Sequence, residues 1–263
     1  MNNDGVTRSA TLGSVANAAR VLKAFTSAER EWGVSDLARR LGIAKSTAHR
    51  LLATLTDEAL LEQDAQTGRY RLGLAMFDLA AAAQSMDLHE AVLSPMTELR
   101  NRTGETVQVA VLDGRDVVYV ERLDSPNTVK VFSEIGRRNS AHSTGCGKAL
   151  LAFSAPDVLD RLLRGWDLHR HTDQTITDTA HLRAELAESR RRGWAVNRGE
   201  SEASVMSVAA PIRDLSGRAV AAISVAGPVE RLGQNELRYA HATVEVAAII
   251  SRRLGYRGAI GAA

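Results

Sequence analysis

The chain is short of cysteine, of long apolar runs and of charge imbalance, and each shortage removes a class of protein. Cys146 is the single cysteine among 263 residues, so neither an internal disulfide nor a cysteine-based zinc cluster is available. No stretch approaches the roughly 18 consecutive apolar residues of a membrane-spanning helix. Met1 to Leu12 lack the apolar core of a signal peptide, so a cytoplasmic location is expected. Lys and Arg number 33 against 31 Asp and Glu, a net charge of +2, so the whole chain is no polycation. Internal repeats are missing, and the one low-complexity stretch is the alanine run 80–83. What remains is an ordinary globular composition, 44% hydrophobic and 24% charged, with room for one large domain or two modest ones.

Catalytic motifs are missing as well. Gly147-Lys148 invites a phosphate-binding loop, but that loop needs Gly five positions before Gly147 and Ser or Thr after Lys148. His142 and Ala149 stand there instead. No Gly-x-Ser-x-Gly elbow occurs. His142, His169, His171 and His181 show no metal-ligand spacing and are read as surface histidines. Glu200 and Glu202 are read as solvated carboxylates of a loop before a strand. No catalytic role, resident metal or cofactor is expected.

The charge is unevenly placed. Residues 1–75 hold ten basic against eight acidic residues, and the rest hold 23 of each. Between Leu37 and Thr56 stand Arg39, Arg40, Lys45 and Arg50 with no acid, the local footprint of a DNA-reading helix. Apolar periodicity predicts helices over 14–27 (Val15, Ala18, Leu22, Phe25; Ser14 as cap), 34–41 (Ser35 as cap) and 45–56 (Ala48, Leu51, Leu52, Leu55 inward). Two short strands follow, Leu61–Gln63 and Tyr70–Leu72, around a turn holding Gly68. A helix-turn-helix needs a small residue where its helices meet and a residue tolerant of positive φ four positions later; Ala38 and Gly42 fit. The outer face of the second helix then carries Lys45, Ser46, Thr47, His49 and Arg50 toward a major groove. With Ser35, Arg39 and Arg69 these are the candidate DNA-contacting residues, Arg69 and Arg71 lying on the wing. Arg39 and Arg40 fit a phosphate contact and a solvated helix face equally well.

Beyond residue 87 the pattern predicts an α+β domain. Helices are expected at 88–102, 144–153, 156–163, 181–192 and 236–254. Strands are expected at 106–112, 117–123, 128–134, 194–198, 205–213 and 219–226.

The stretch Ala44-Lys45-Ser46-Thr47-Ala48-His49-Arg50-Leu51-Leu52 and the Tyr70-Arg71-Leu72-Gly73 ending resemble the IclR (isocitrate lyase regulator) family. So do Ala141-His142-Ser143-Thr144-Gly145-Cys146-Gly147-Lys148, the run Gly199–Ser207 into Val208-Ala209-Ala210-Pro211-Ile212, and Ala221-Ala222-Ile223-Ser224-Val225-Ala226-Gly227-Pro228. The resemblance spans about Ser14 to Leu254.

It implies a flexible arm (1–13), a winged helix-turn-helix (14–73), a linker helix (74–87), a GAF-like α/β effector-binding domain with an antiparallel sheet (88–257) and a tail (258–263). It implies a transcriptional regulator, more often a repressor than an activator. The implied partners are double-stranded operator DNA, a small organic-acid or aromatic-carboxylate effector, and copies of itself in a homodimer or homotetramer joined through 14–27 and 74–86. The effector site carried over by position comprises Thr144, Gly145, Cys146, Asn197, Val205, Ser207 and Ser224. Free amides at a helix start near Thr144 suit a carboxylate. For Ser207 and Ser224, a bond to ligand and a bond to nearby backbone both stay open. Many members have Cys where this chain has Ser207, some have an acid near Asn197, and some a serine at Ala226, so effector identity does not transfer. The Cys146 thiol is read as packing rather than as a redox switch.

Overall fold

The computed structural model describes residues 12–25, 29–83, 86–128, 131 and 134–258. The chain divides into two compact units, Met1–Ser85 and Met86–Ala263.

The first unit comprises α1 (Gly13–Ala24), α2 (Val34–Leu41), α3 (Lys45–Asp57), β1 (Leu61–Gln63), β2 (Tyr70–Leu72) and α4 (Ala75–Ala83). Its core gathers Val21, Ala24, Phe25, Leu37, Leu52, Leu55, Leu61 and Tyr70. Two caps differ from expectation. α1 begins after Leu12, placing Ser14 inside the first turn, and α2 begins after Gly33, placing Ser35 inside its first turn. Neither helix has a side-chain cap. The apolar stripe of α1 is also rotated: Val15 points to solvent while Val21 takes the core position. Residues 26–28, the expected end of this helix, lie outside the described residues.

The turn after α2 is set by Gly42, at φ 66, where the helix closes with Ile43 N–H donating to the Ala38 carbonyl at 3.1 Å. β1 and β2 pair antiparallel, Leu61 opposite Leu72. Trp32 joins by a two-bond bridge to Tyr70. The Asp64 carboxylate accepts from the Gln66 and Thr67 amides and fixes the wing tip.

The second unit is built on six antiparallel strands in the order β5-β4-β3-β8-β7-β6. In chain order they are β3 (Thr106–Asp113), β4 (Asp116–Leu123), β5 (Arg138–Ser140), β6 (Ala195–Arg198), β7 (Val205–Arg213) and β8 (Ala219–Pro228). Helices α5 (Met86–Thr103) and α10 (Glu236–Arg253) belong to the core on one face. Val107, Val109, Met206, Val208, Ala210, Ile212, Ile223 and Val225 point there. The other face carries α6 (Gly145–Ala152), α7 (Pro156–Leu163) and α8 (Thr179–Arg192), packed on Ala110, Tyr119, Ala195, Ala209 and Ala222. A one-turn helix, α9 (Val229–Gly233), links β8 to α10. With both faces covered, β7 and β8 read as near-continuous apolar runs, and the few polar residues in them stand out.

Of the expected strand 128–134, residues 129, 130, 132 and 133 lie outside the described residues; among the described residues the edge partner of β4 is β5, which was not expected. α8 starts at Thr179, two residues early, because the Asp178 carboxylate accepts from the His181 amide and caps the helix there.

Candidate functional site

In the first unit the packing needs of α3 fix what it presents. Ala48, Leu52 and Leu55 are buried, and the helical repeat sends Lys45, Ser46, His49 and Arg50 outward. Thr47 is half-buried. Lys45, His49 and Arg50 have no hydrogen bond or ion pair to the described residues, so a basic, unpartnered helix face meets solvent. The other candidate cations are engaged. Arg39 pairs with Asp36 at 3.1 Å. Arg40 stacks over Trp32 at 5.0 Å. Arg69 donates to the Glu31 carbonyl at 2.7 Å, which ties the wing to the loop before α2. Arg71 pairs with Glu62, its cross-strand neighbour, at 2.7 Å. The free face therefore centres on α3, with Ser35 and Arg39 exposed beside it on α2.

In the second unit the family-derived residues meet beneath one helix. All eight residues of α6 are buried. Thr144 caps it, its hydroxyl accepting from the Gly147 amide at 3.1 Å. That leaves the Gly145 and Cys146 amides without intrahelical partners, as at any helix start. The helix lies close to β7: a Cβ on Gly145 would stand 2.7 Å from the Ser207 Oγ and 3.2 Å from the Ser207 carbonyl, while one on Gly147 would collide with the Ala141 carbonyl, where only glycine fits. Ser207 and Ser224 sit on the α6 side of β7 and β8, because their neighbours Met206, Val208, Ile223 and Val225 point to the opposite core. They are 7% and 2% exposed. Ser207 lies opposite Asn197 of β6 and Ala226 of β8. The Cys146 thiol approaches the Ala222 carbonyl at 3.7 Å, and burial pushes its pKa up to about 12, so it stays protonated and inert.

Two family-derived residues are spent on the local turn. The Asn197 side chain accepts from the Glu200 amide at 2.6 Å and donates to Ser201 at 3.0 Å. Val205 begins β7 and closes the same turn, its carbonyl accepting from the Gly199 amide.

Glu200 is not the solvated carboxylate expected of it. It is buried and holds Lys148 of α6, itself 1% exposed, at 2.5 Å. The pair is braced by Glu185, which also binds Arg192 at 2.8 Å. Burial lowers the Lys148 pKa and raises that of Glu200, each against the pull of the other. Gly147-Lys148 is thus a structural anchor rather than part of a phosphate loop.

His142 also departs from expectation. It is fully buried, edge-on to Trp166 at 5.5 Å and stacked on His171 at 5.7 Å. Its Nε2–H donates to the His169 carbonyl at 3.0 Å. His169, His171 and His181 are exposed. Among the described residues no three His, Cys, Asp or Glu side chains are placed to hold a metal. A cleft of about 550 Å³ lies on the opposite helices, lined by Arg102 and Arg238 among others. It contains none of the residues gathered under α6.

Known proteins match both units. The IclR helix-turn-helix domain matches residues 14–65, and the bacterial transcriptional regulator IclR C-terminal domain matches 80–252. The regulator XynR of Escherichia coli is 33% identical over 245 residues, covering 92% of this chain and 97% of its own. The transcriptional repressor IclR of the same organism is 31% identical over 202 residues, covering 76% and 74%. The crystal structure of an IclR homologue from Microbacterium hydrocarbonoxydans, complexed with 4-hydroxybenzoate, superposes with a TM-score of 0.83 at 30% identity, covering 92% and 98%. These relatives regulate transcription and are not enzymes. No helix among the described residues is long and apolar enough to cross a membrane. With the free basic face of α3 and the buried hydroxyls under α6, the chain belongs to the IclR family of DNA-binding transcriptional regulators.

Proposed function

We propose that this regulator is a repressor whose grip on its operator is set by a small organic acid or aromatic carboxylate bound at the N-terminal end of α6, beside the strands that carry Ser207 and Ser224. The observation that carries the reading is the approach of the buried start of α6 to two buried hydroxyls, Gly145 lying against Ser207 and Cys146 hydrogen-bonded to Ser224. An anion lacking water needs donors already aimed at it, and a helix start supplies them together with a favourable dipole. The relative that holds 4-hydroxybenzoate supports the same ligand class. Lys45, Ser46, Thr47, His49 and Arg50 read the major groove, with Ser35, Arg39 and Arg69 near the backbone. A relative named as a repressor supports that sign of control.

The working form is a homodimer or a pair of dimers, because symmetric half-sites demand paired recognition helices. Leu12 and Val15 at α1 and Leu74, Phe77 and Leu79 at α4 are apolar and exposed, which suits a contact between copies. Ligand acts by favouring one placement of the paired DNA-reading units over another.

The test is fluorescence anisotropy of the full chain with its own upstream DNA, beside a scrambled duplex, across a salt series. Salt-sensitive binding that prefers the native fragment and weakens on adding carboxylates supports the reading. Equal, salt-insensitive behaviour with both duplexes removes it. The Ser207→Leu variant should keep operator binding and lose the carboxylate response.

A further inference from the structure

The α6-facing side of the sheet holds two donors that the fold leaves without partners. Gln108 of β3 is 3% exposed, and its Nε2 finds no hydrogen bond. Arg122 of β4 is anchored twice, Nε donating to Asp124 at 2.6 Å and Nη2 to the Val131 carbonyl at 2.7 Å. Its Nη1 is nonetheless buried and unpartnered. The register sets the two side by side. Gln108 lies opposite Arg122 on one side and opposite Ser224 on the other. Paired residues of antiparallel strands share a face, so Arg122, Gln108 and Ser224 form one row, stepping about 4.8 Å from strand to strand. Ser224 in turn meets Cys146 at the start of α6. Buried donors are nearly always satisfied, and leaving one unsatisfied is costly. Two of them, neighbours in one row that runs into a proposed anion site, point to a missing acceptor.

We propose that Gln108 and Arg122 form the far end of the effector site and select a dicarboxylate. One carboxylate is taken by the Gly145 and Cys146 amides and the serine hydroxyls, the other by Gln108 Nε2 and Arg122 Nη1. The span is one to two strand spacings, about 5–10 Å, that of a short dicarboxylic acid. Lys148 does not compete for the second carboxylate, because it is spent on Glu200. The assignment rests on the effector-site reading above.

Isothermal calorimetry of the full chain with two matched pairs, benzoate with terephthalate and propionate with glutarate, tests it. The dicarboxylate of a pair should bind about 10–100-fold more tightly than its partner, the worth of charge-assisted hydrogen bonds. Gln108→Leu and Arg122→Met should each shrink that preference while sparing monocarboxylate affinity. Ser224→Ala should weaken both members of a pair. Unliganded Gln108→Leu should melt no lower than the wild type, since it removes a stranded amide. Equal wild-type affinities within the pairs, or a preference that survives both substitutions, overturns the donor pair and leaves the effector site standing. A melting point several degrees lower in Gln108→Leu also overturns it, by marking Gln108 as a packing residue. No heat with any acid, or binding indifferent to Ser207→Ala and Ser224→Ala, overturns the effector site itself and the dicarboxylate with it.

Discussion

Arg50 and Gln108 both present donors that none of the described residues accepts from, yet one stands in water and the other is sealed from it. The same contrast separates the two units. On α3 the unpaired groups cost almost nothing, because water solvates them until a phosphate displaces it. Under α6 the Gln108 and Arg122 donors, and the Glu200 Oε2 beside its ion pair, are held out of water without partners. Such groups tax the fold continuously. On the proposed function, the DNA-reading surface is therefore separable from stability, whereas sensing is written into the interior, and substitutions should act on different observables in the two units.

The largest effect is expected inside the second unit. Lys148→Met strands the Glu200 carboxylate and should cost about 3–5 kcal/mol in denaturant unfolding. The Lys148→Met/Glu200→Leu double variant should recover most of that loss. A mild single variant would mean that water reaches the pair and would blunt the contrast. Next come Arg50→Ala and Lys45→Ala on α3. Each should weaken operator binding about 5–100-fold and lower the salt slope by about one, with an unchanged melting curve. A drop in melting temperature there would break the comparison outright.

A smaller effect follows from His142, whose pKa burial lowers from 6.5 against the raising effect of its hydrogen bond to the His169 carbonyl, with repulsion from His171, His169 and Lys148 adding to the lowering. The folded ring stays neutral where the unfolded ring would take a proton. Its contribution is present above about pH 6.5 and is lost as pH falls toward the lower folded value, by at most about 1.4 kcal/mol per unit. Melting curves between pH 5 and 7 should show this slope, and His142→Phe should flatten it. The smallest effect belongs to Arg71→Ala. Its bond to Glu62 is fully exposed, so unfolding should not register the change, while DNA affinity should fall only a few-fold.

The sequence disclosed the first unit well, because local rules govern it. Gly42 marks the turn by backbone freedom, Ala38 and Ala48 mark the helix contact by size, and the α3 repeat separates inner from outer residues without reference to distant segments. It misled at Ser14 and Ser35, two capping residues by type that the chain places one step inside their helices. In the second unit most elements were legible, and the resemblance supplied candidate site residues, but the buried polar groups around them were not legible. Glu200 reads as a loop carboxylate until folding brings Lys148 onto it from 52 positions away. His142 reads as surface until Trp166 and His171 cover it. The one local clue to Gln108 was a polar residue between valines in Thr106–Asp113, a strand buried at five of its eight positions. Its neighbours Arg122 and Ser224 come from pairing, which no single segment encodes.

The complete burial of α6 bears on how such a regulator acquires new ligands. Gly147 has no room for a side chain, Lys148 is committed to an ion pair, and the alanines and leucines that follow fill the interior. On the proposed function the helix is consequently a fixed half of the recognition surface, offering the same two amides whatever the effector. Variation has to come from the opposite half, where positions 108, 122, 207, 224 and 226 alternate outward from four neighbouring strands. Redesign of specificity should therefore be attempted on the strands, with the helix left untouched as the shared grammar of acid recognition.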